Sequence, residues 1–273
     1  MATPVTIRKP AVAGRFYPAR PAELTSALQD FVHPVDNPAK AIGIIVPHAG
    51  YMYSGHVAGA VYSEVKLPQR NIVLCPNHTG RGVPLSIMRS GQWETPLGNM
   101  QIDEELCAAL MEADPGLEND TAAHQFEHAL EVQLPFMRHV GGTDVTFVPI
   151  TVGTESWTDL SELGRAIAAV VQKVAPEALI IASSDMNHYE SDAITRIKDR
   201  KAIDQVLELN ALGLYEVVDR EDISMCGYGP ATAMLTAARI LHASKANLVK
   251  YATSADVSGD FDRVVGYAGM VIA

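Results

Sequence analysis

A chain of 273 residues is long enough to bury one large α/β core or two smaller ones. With 48% hydrophobic and 19% charged residues, its composition is that of an ordinary globular protein and excludes a disordered or fibrous one. A net charge of −11, from 21 basic and 32 acidic residues, argues against a nucleic-acid-binding or anionic-membrane-binding surface.

Residues 1–20 read as extended and end in the aromatic pair Phe16–Tyr17. Residues 21–32 carry Pro at a helix start and apolar residues at helical spacing. The run 41–46 (AIGIIV) has the near-continuous hydrophobicity of a strand buried on both faces, and Pro47 stops it. A helix capped by Ser54 follows Tyr53, and a second buried strand spans 71–75, closed by Pro76. Residues 84–102 alternate short β patterns with Gly and Pro turns. Helices are expected over 103–113, with acidic residues in the first turn, and over 122–140, the most charged helical pattern of the chain. Strand 145–152, helix 157–174 and strand 178–184 continue the alternation. Residues 191–220 are helical with a break near Gly213. A loop holding Cys226, a helix over 230–243 and strands near 247–253 and 263–272 complete the chain. This order predicts one α/β domain spanning 1–273, with a central, mostly parallel or mixed sheet flanked by helices.

The N-terminus lacks the apolar core of a signal peptide, and no apolar run approaches the ~20 residues that span a bilayer. The three cysteines, Cys75, Cys107 and Cys226, are odd in number and lack CxxC spacing, so no disulfide framework is expected. A reducing cytoplasm is the expected location.

Three histidines each stand just past a strand-like run: His48 in VPHAGY, His78 in CPNHTG and His188 in SSDMNHY. Parallel strands in an open α/β sheet aim their C-terminal ends at one crevice, where ligands bind. Three imidazoles there would make a metal site or a proton-transfer site. Taken singly, His48 or His78 reads first as a helix cap or a satisfied core His. Asp185 suits either the orientation of an imidazole or the N-cap of the next helix. In the segment 122–140, His124, Glu127, His128 and Glu131 share one face of a helix, which reads as a base beside a carboxylate or as a solvated polar face. Cys226, in MCGYGP, is a candidate thiolate ligand or a buried structural thiol. No P-loop, nucleophile elbow or dinucleotide fingerprint is present.

The ordered strings VAGRFYP, PHAGYMYSG, PNHTG, ETPLG, EHALEVQLPF, SSDMNHY and MCGYGP resemble those of the Memo family, from about residue 8 to the C-terminus. Bacterial and archaeal members are often called the B component of a system with a radical-SAM protein and a small partner protein, so those two are the partners the resemblance implies. The family is similar in fold to the class III, LigB-type extradiol dioxygenases, in which two His and one Glu hold Fe(II). The resemblance therefore implies a LigB-like fold and a metal held by His48, His78 and Cys226, the Cys standing where the dioxygenases have Glu. It implies acid–base roles for His128 and His188, with Asp185, Glu131 and Tyr51 around the pocket. The chain departs from some relatives in having Gln133 in place of a second His, and a single His78 in place of a His pair. Imidazole suits Fe, Zn and Cu, while thiolate favours softer ions such as Cu(I) and Zn. The expectation is a non-haem Fe(II) oxidoreductase of extradiol-dioxygenase type acting on a small aromatic substrate, with Cu or Zn as alternative metals. A non-catalytic metal- or phosphopeptide-binding signalling protein using the same crevice is the alternative, and a zinc hydrolase is a third reading.

Overall fold

The apolar runs of the chain meet in a twelve-stranded mixed sheet, in a computed structural model that describes residues 6–273. The first five residues of the expected extended segment 1–20 lie outside the described residues. In chain order the elements are β1 (Ile7–Arg8), α1 (Pro21–Phe31), β2 (Gly43–Val46), α2 (Tyr51–Glu64), β3 (Arg70–Pro76), β4 (Leu85–Ile87), β5 (Gln92–Trp93) and β6 (Met100–Ile102). There follow α3 (Glu104–Ala113), β7 (Glu118–Asn119), α4 (Leu134–Gly141), β8 (Thr146–Val152), α5 (Trp157–Val174), β9 (Leu179–Ser183) and β10 (His188–Glu190). The last are α6 (Asp192–Leu207), α7 (Ala211–Arg220), α8 (Tyr228–Ile240), β11 (Ala246–Thr253), α9 (Ala255–Ser258) and β12 (Val264–Ile272).

The sheet centre runs β8–β3–β9–β2, all parallel, and every residue of β2 and β9 is buried. Burial on both faces explains why these strands read as continuous apolar runs with no alternation. β12 adds antiparallel to β2, and β11 to β12, which makes the sheet mixed. α8 packs against the face that carries Gly43, where a Cβ would lie 2.5 Å from Met234 Sδ. α2 packs against the face that carries Gly269, where a Cβ would lie 2.4 Å from Val61 Cγ2. Gly43 pairs with Ile272, three residues beyond Gly269, so strand alternation puts the two helices on opposite faces. The order β3–β9–β2 sets the C-terminal ends of β2 and β3 roughly 10 Å apart, at about 4.8 Å per strand, with the end of β9 between them.

Five expectations are corrected. The helix over 122–140 does not form: residues 122–130 are turns, Glu131–Gln133 is one 3-10 turn, and only α4 is α-helical. Glu127 turns inward and its carboxylate accepts the N–H groups of Ala129 and His78, which substitutes a loop for helical bonding. The charged pattern is no solvated face, since His124, Glu127 and Glu131 are all fully buried. Helix α2 begins at Tyr51, and Ser54 is no cap: its hydroxyl donates back to the Ala49 carbonyl. The break between α6 and α7 falls at Leu209 (φ 55°) and Asn210, whose side chain caps the N–H of Gly213 inside α7. Asp185 caps no following helix; Ser191 stands at the start of α6, and Asp185 accepts the N–H of His48. Among the described residues no helix is long and apolar enough to cross a membrane.

Candidate metal centre

A crevice of about 610 Å³ opens where β2, β3 and β9 end. His48 is two residues past β2 and His78 two residues past β3, each beyond a proline. His188 is less direct: it lies five residues past β9 and begins β10. Side chains span the gap between strands, with the His48 and His78 ring centroids 5.2 Å apart. Cys226 arrives from the other half of the chain, with Sγ 3.2 Å from His48 Nε2. Its loop presses on the end of β9 so closely that a Cβ at Gly227 would lie 2.4 Å from the Ser183 carbonyl oxygen. One nitrogen of each of His48 and His78 and the Cys226 sulfur lie within 4.8 Å of one another.

The tautomer of His48 follows from its neighbours. Its Nδ1 is 3.0 Å from Ser183 Oγ. The Ser183 hydroxyl gives its one hydrogen to the Ala129 carbonyl at 2.6 Å. Ser183 therefore accepts, and His48 Nδ1 must carry the proton. Gln133 Nε2 donates to Ser183 at 2.9 Å and to the Pro47 carbonyl at 3.0 Å, and the Tyr62 hydroxyl donates to Gln133 Oε1. His48 Nε2, facing Cys226, is left with a lone pair, the form that binds a metal. Burial, then the neighbouring imidazoles of His128 and His78, depress the His48 pKa well below its ordinary value and keep the ring neutral.

His78 reaches the same form by a different partner. Its Nδ1 is 2.9 Å from Glu127 Oε1, and its backbone N–H donates to Glu127 Oε2 at 2.6 Å. Burial alone would raise the Glu127 pKa, but hydrogen bonding and charge from His78, with the Ala129 N–H, hold it below the usual value. An ionised carboxylate only accepts, so His78 Nδ1 donates and Nε2 is free. Burial lowers the His78 pKa, and Glu127 more than reverses it. His128 stacks on His78 with centroids 4.7 Å apart, and lies tilted at 52° against Phe16 at the same separation. Its Nδ1 is 3.4 Å from the same Glu127 oxygen. Burial outweighs that carboxylate and leaves the His128 pKa lowered. His78, Glu127 and His128 also form a close group, but Glu127 already spends both oxygens on N–H donors.

Burial, then the Asp185 carboxylate, pushes the Cys226 thiol well above its ordinary pKa. Asp185 itself is pushed up to about 6 by burial, against the N–H groups of His48 and Ala49. A cation in the crevice would reverse both shifts, because it favours thiolate and carboxylate alike. The donor set fits a resident metal. Donors sharing one ion at about 2.0–2.3 Å stand roughly 3–4 Å apart, and the 3.2 Å between Sγ and His48 Nε2 lies in that range.

The structure brings His48, His78, His128, His188, Cys226 and Asp185 to one crevice. It does not bring Tyr51 or Glu131 there. Tyr51 is buried behind the crevice and donates to the Val132 carbonyl at 2.7 Å. Glu131 is fully buried and accepts from Arg8, the Ala11 and Val12 N–H groups and the Tyr17 hydroxyl, which anchors the N-terminal segment. The carboxylate beside the imidazoles is Glu127, not Glu131, because the loop replaces the expected helical spacing. Glu127 and Ser183 were missed as site residues. Glu127 adjoins His128 in the EHALEVQ string and carried a signal; Ser183 carried none, because its part depends on a partner from another strand.

Residues 8–271 match the family described as Memo-like protein. A MEMO1 family protein of Methanopyrus kandleri is 41% identical, over 97% of this chain and 98% of its own. Another, from Desulfurococcus amylolyticus, is 42% identical, over 96% and 98%. Among solved structures, an uncharacterized protein of Escherichia coli K12 superposes with a TM-score of 0.56 at 14% identity, over 84% of this chain and 98% of that one, a likeness of fold.

Proposed function

Because the chain belongs to the Memo-like protein family, we propose that its crevice is the site of a metal-dependent oxidoreductase of extradiol-dioxygenase type, taking a small aromatic substrate. The observation that supports this reading most is the convergence of two imidazoles and one thiol at the strand ends, with two further imidazoles alongside. His48, His78 and Cys226 would hold the metal, with Fe(II) the first expectation and Cu or Zn the alternatives. When bound, the iron would supply the redox chemistry with O₂ that no side chain possesses.

The remaining roles belong to the protein. His188 Nδ1 lies 2.8 Å from the Ser224 carbonyl, so its Nε2 is free to take a proton from a substrate hydroxyl. His128, against Phe16 and Glu127, is the second imidazole able to hold or return a proton. Phe16 and the chain at Ala49–Gly50 wall the crevice, where a flat ring would exclude water.

Protein purified without oxygen should contain iron and consume O₂ with at least one member of a catechol panel. Absence of both sinks the reading. Cys226→Ala should lose the metal and all turnover, as measured by metal analysis. A crevice that serves only to recognise phosphopeptides would keep its binding in that variant.

A further inference from the structure

His188 stands on a strand too short to hold it. β10 has three residues, and its register against β12 shifts between His188 and Glu190. Between them Tyr189 sits at φ 64°, a left-handed conformation that strains a non-glycine residue. The surroundings must over-determine such a segment for it to persist.

Asn187 does so. It is fully buried, and every polar group it owns is engaged. Its N–H donates to Asp199 Oδ1 at 2.8 Å and its carbonyl accepts the Gly266 N–H at 2.9 Å. Nδ2 donates to Glu190 Oε2 at 2.7 Å and to Thr195 Oγ1 at 3.3 Å. Oδ1 accepts the Ser224 N–H at 3.0 Å and the Ser224 hydroxyl at 3.1 Å. Ser224 in turn holds His188 twice. The His188 N–H donates to Ser224 Oγ at 2.7 Å, and ring Nδ1 is 2.8 Å from the Ser224 carbonyl oxygen. A carbonyl only accepts, so Nδ1 carries the proton.

We propose that Asn187, acting through Ser224, is the positioning residue of this pocket: it clamps the Cys226 loop to β10 and holds His188 in the Nδ1–H tautomer with Nε2 presented as the base. The assignment of Nε2 as a base rests on the function proposed above; the clamp and the tautomer do not. Orienting partners of this kind fix which ring nitrogen is available, and their loss from a working imidazole costs orders of magnitude in rate.

The test uses the full chain, metal-free and labelled with ¹⁵N in its histidine side chains, with His188→Gln to assign the His188 signals. The wild type should show His188 as the Nδ1–H tautomer alone. Asn187→Ala, which removes both bonds from Ser224 to Oδ1, should convert it to a mixture of tautomers; Ser224→Ala, which removes the Oγ bonds but keeps the backbone N–H and carbonyl, should do so to a smaller extent, and Ser224→Thr, which keeps a hydroxyl, should restore the wild-type pattern. The double variant should be no worse than Asn187→Ala alone, since both substitutions act on one linkage. If Asn187→Ala does not fold, the Ser224→Ala and Ser224→Thr pair carries the test. A wild-type His188 found as the Nε2–H tautomer overturns the proposal, and so does an unchanged tautomer in folded Ser224→Ala. Because the readout needs neither metal nor turnover, failure of the oxidoreductase reading would show separately, as absent O₂ uptake by the wild type.

Discussion

Glu127 carries more of the crevice than any histidine in it. A fully buried carboxylate is costly unless its oxygens are paired, and here three N–H groups do that. In return it orients His78 and faces His128. Glu127→Gln would set an amide donor against some of these N–H groups and free the His78 ring to turn. Metal titration should then show an affinity ~10–100-fold weaker, the usual cost of losing the partner of a ligating His. An unchanged affinity would mean that something else orients His78. The same logic explains why Gln133 matters without being a ligand: through Ser183 it helps to set the tautomer of His48.

The loop at 120–133 and the N-terminal segment form one unit. Arg8 lies 4.0 Å over the Trp93 ring, donates to the carbonyls of His124 and Glu127, and pairs with Glu131 at 2.7 Å, with both partners buried. Replacing one partner strands the other as an uncompensated buried charge. Glu131→Ala should therefore cost ~3–5 kcal/mol, measured by urea unfolding, and should loosen Phe16 and with it one wall of the crevice. Tyr51 belongs to this same layer, packed between Tyr17 and Phe136.

The fold as a whole carries an internal cost at Asp199, which is buried between α6, β11 and β12. It accepts from the Tyr251 hydroxyl and the Asn187 N–H, yet burial prevails and pushes its pKa from 3.8 up to about 7. The folded protein therefore binds this proton more tightly than the unfolded chain. Its stabilising contribution is complete below about pH 4, declines as pH rises towards 7, and is gone above that. Asp199→Asn removes the titration. Relative to wild type, the variant should gain little at pH 4 and ~1–3 kcal/mol at pH 8, where a full three-unit shift would set an upper bound of about 4 kcal/mol. Equal effects at both pH values would show that Asp199 titrates normally in the fold.

Local chemistry explains what could be read without coordinates. Buried parallel strands are continuous apolar runs, prolines stop them, and an alternation of β and α dictates the sheet class; hence His48 and His78 were locatable from their position after the strands alone. The strong charge pattern of 122–140 misled because periodicity records residue spacing and not burial, and carboxylates that face inward obey their partners rather than a helix. Cys226 approaches His48 across 178 residues of chain. The tautomers of His48, His78 and His188 are set by Ser183, Glu127 and the Ser224 carbonyl, each from a different segment. Sequence spacing determined where the strands end and which histidines follow those ends, because backbone periodicity is local. Only the tertiary structure decided which nitrogen of each ring is free and which carboxylate stands beside it, because a proton's position depends on the partner that packing supplies.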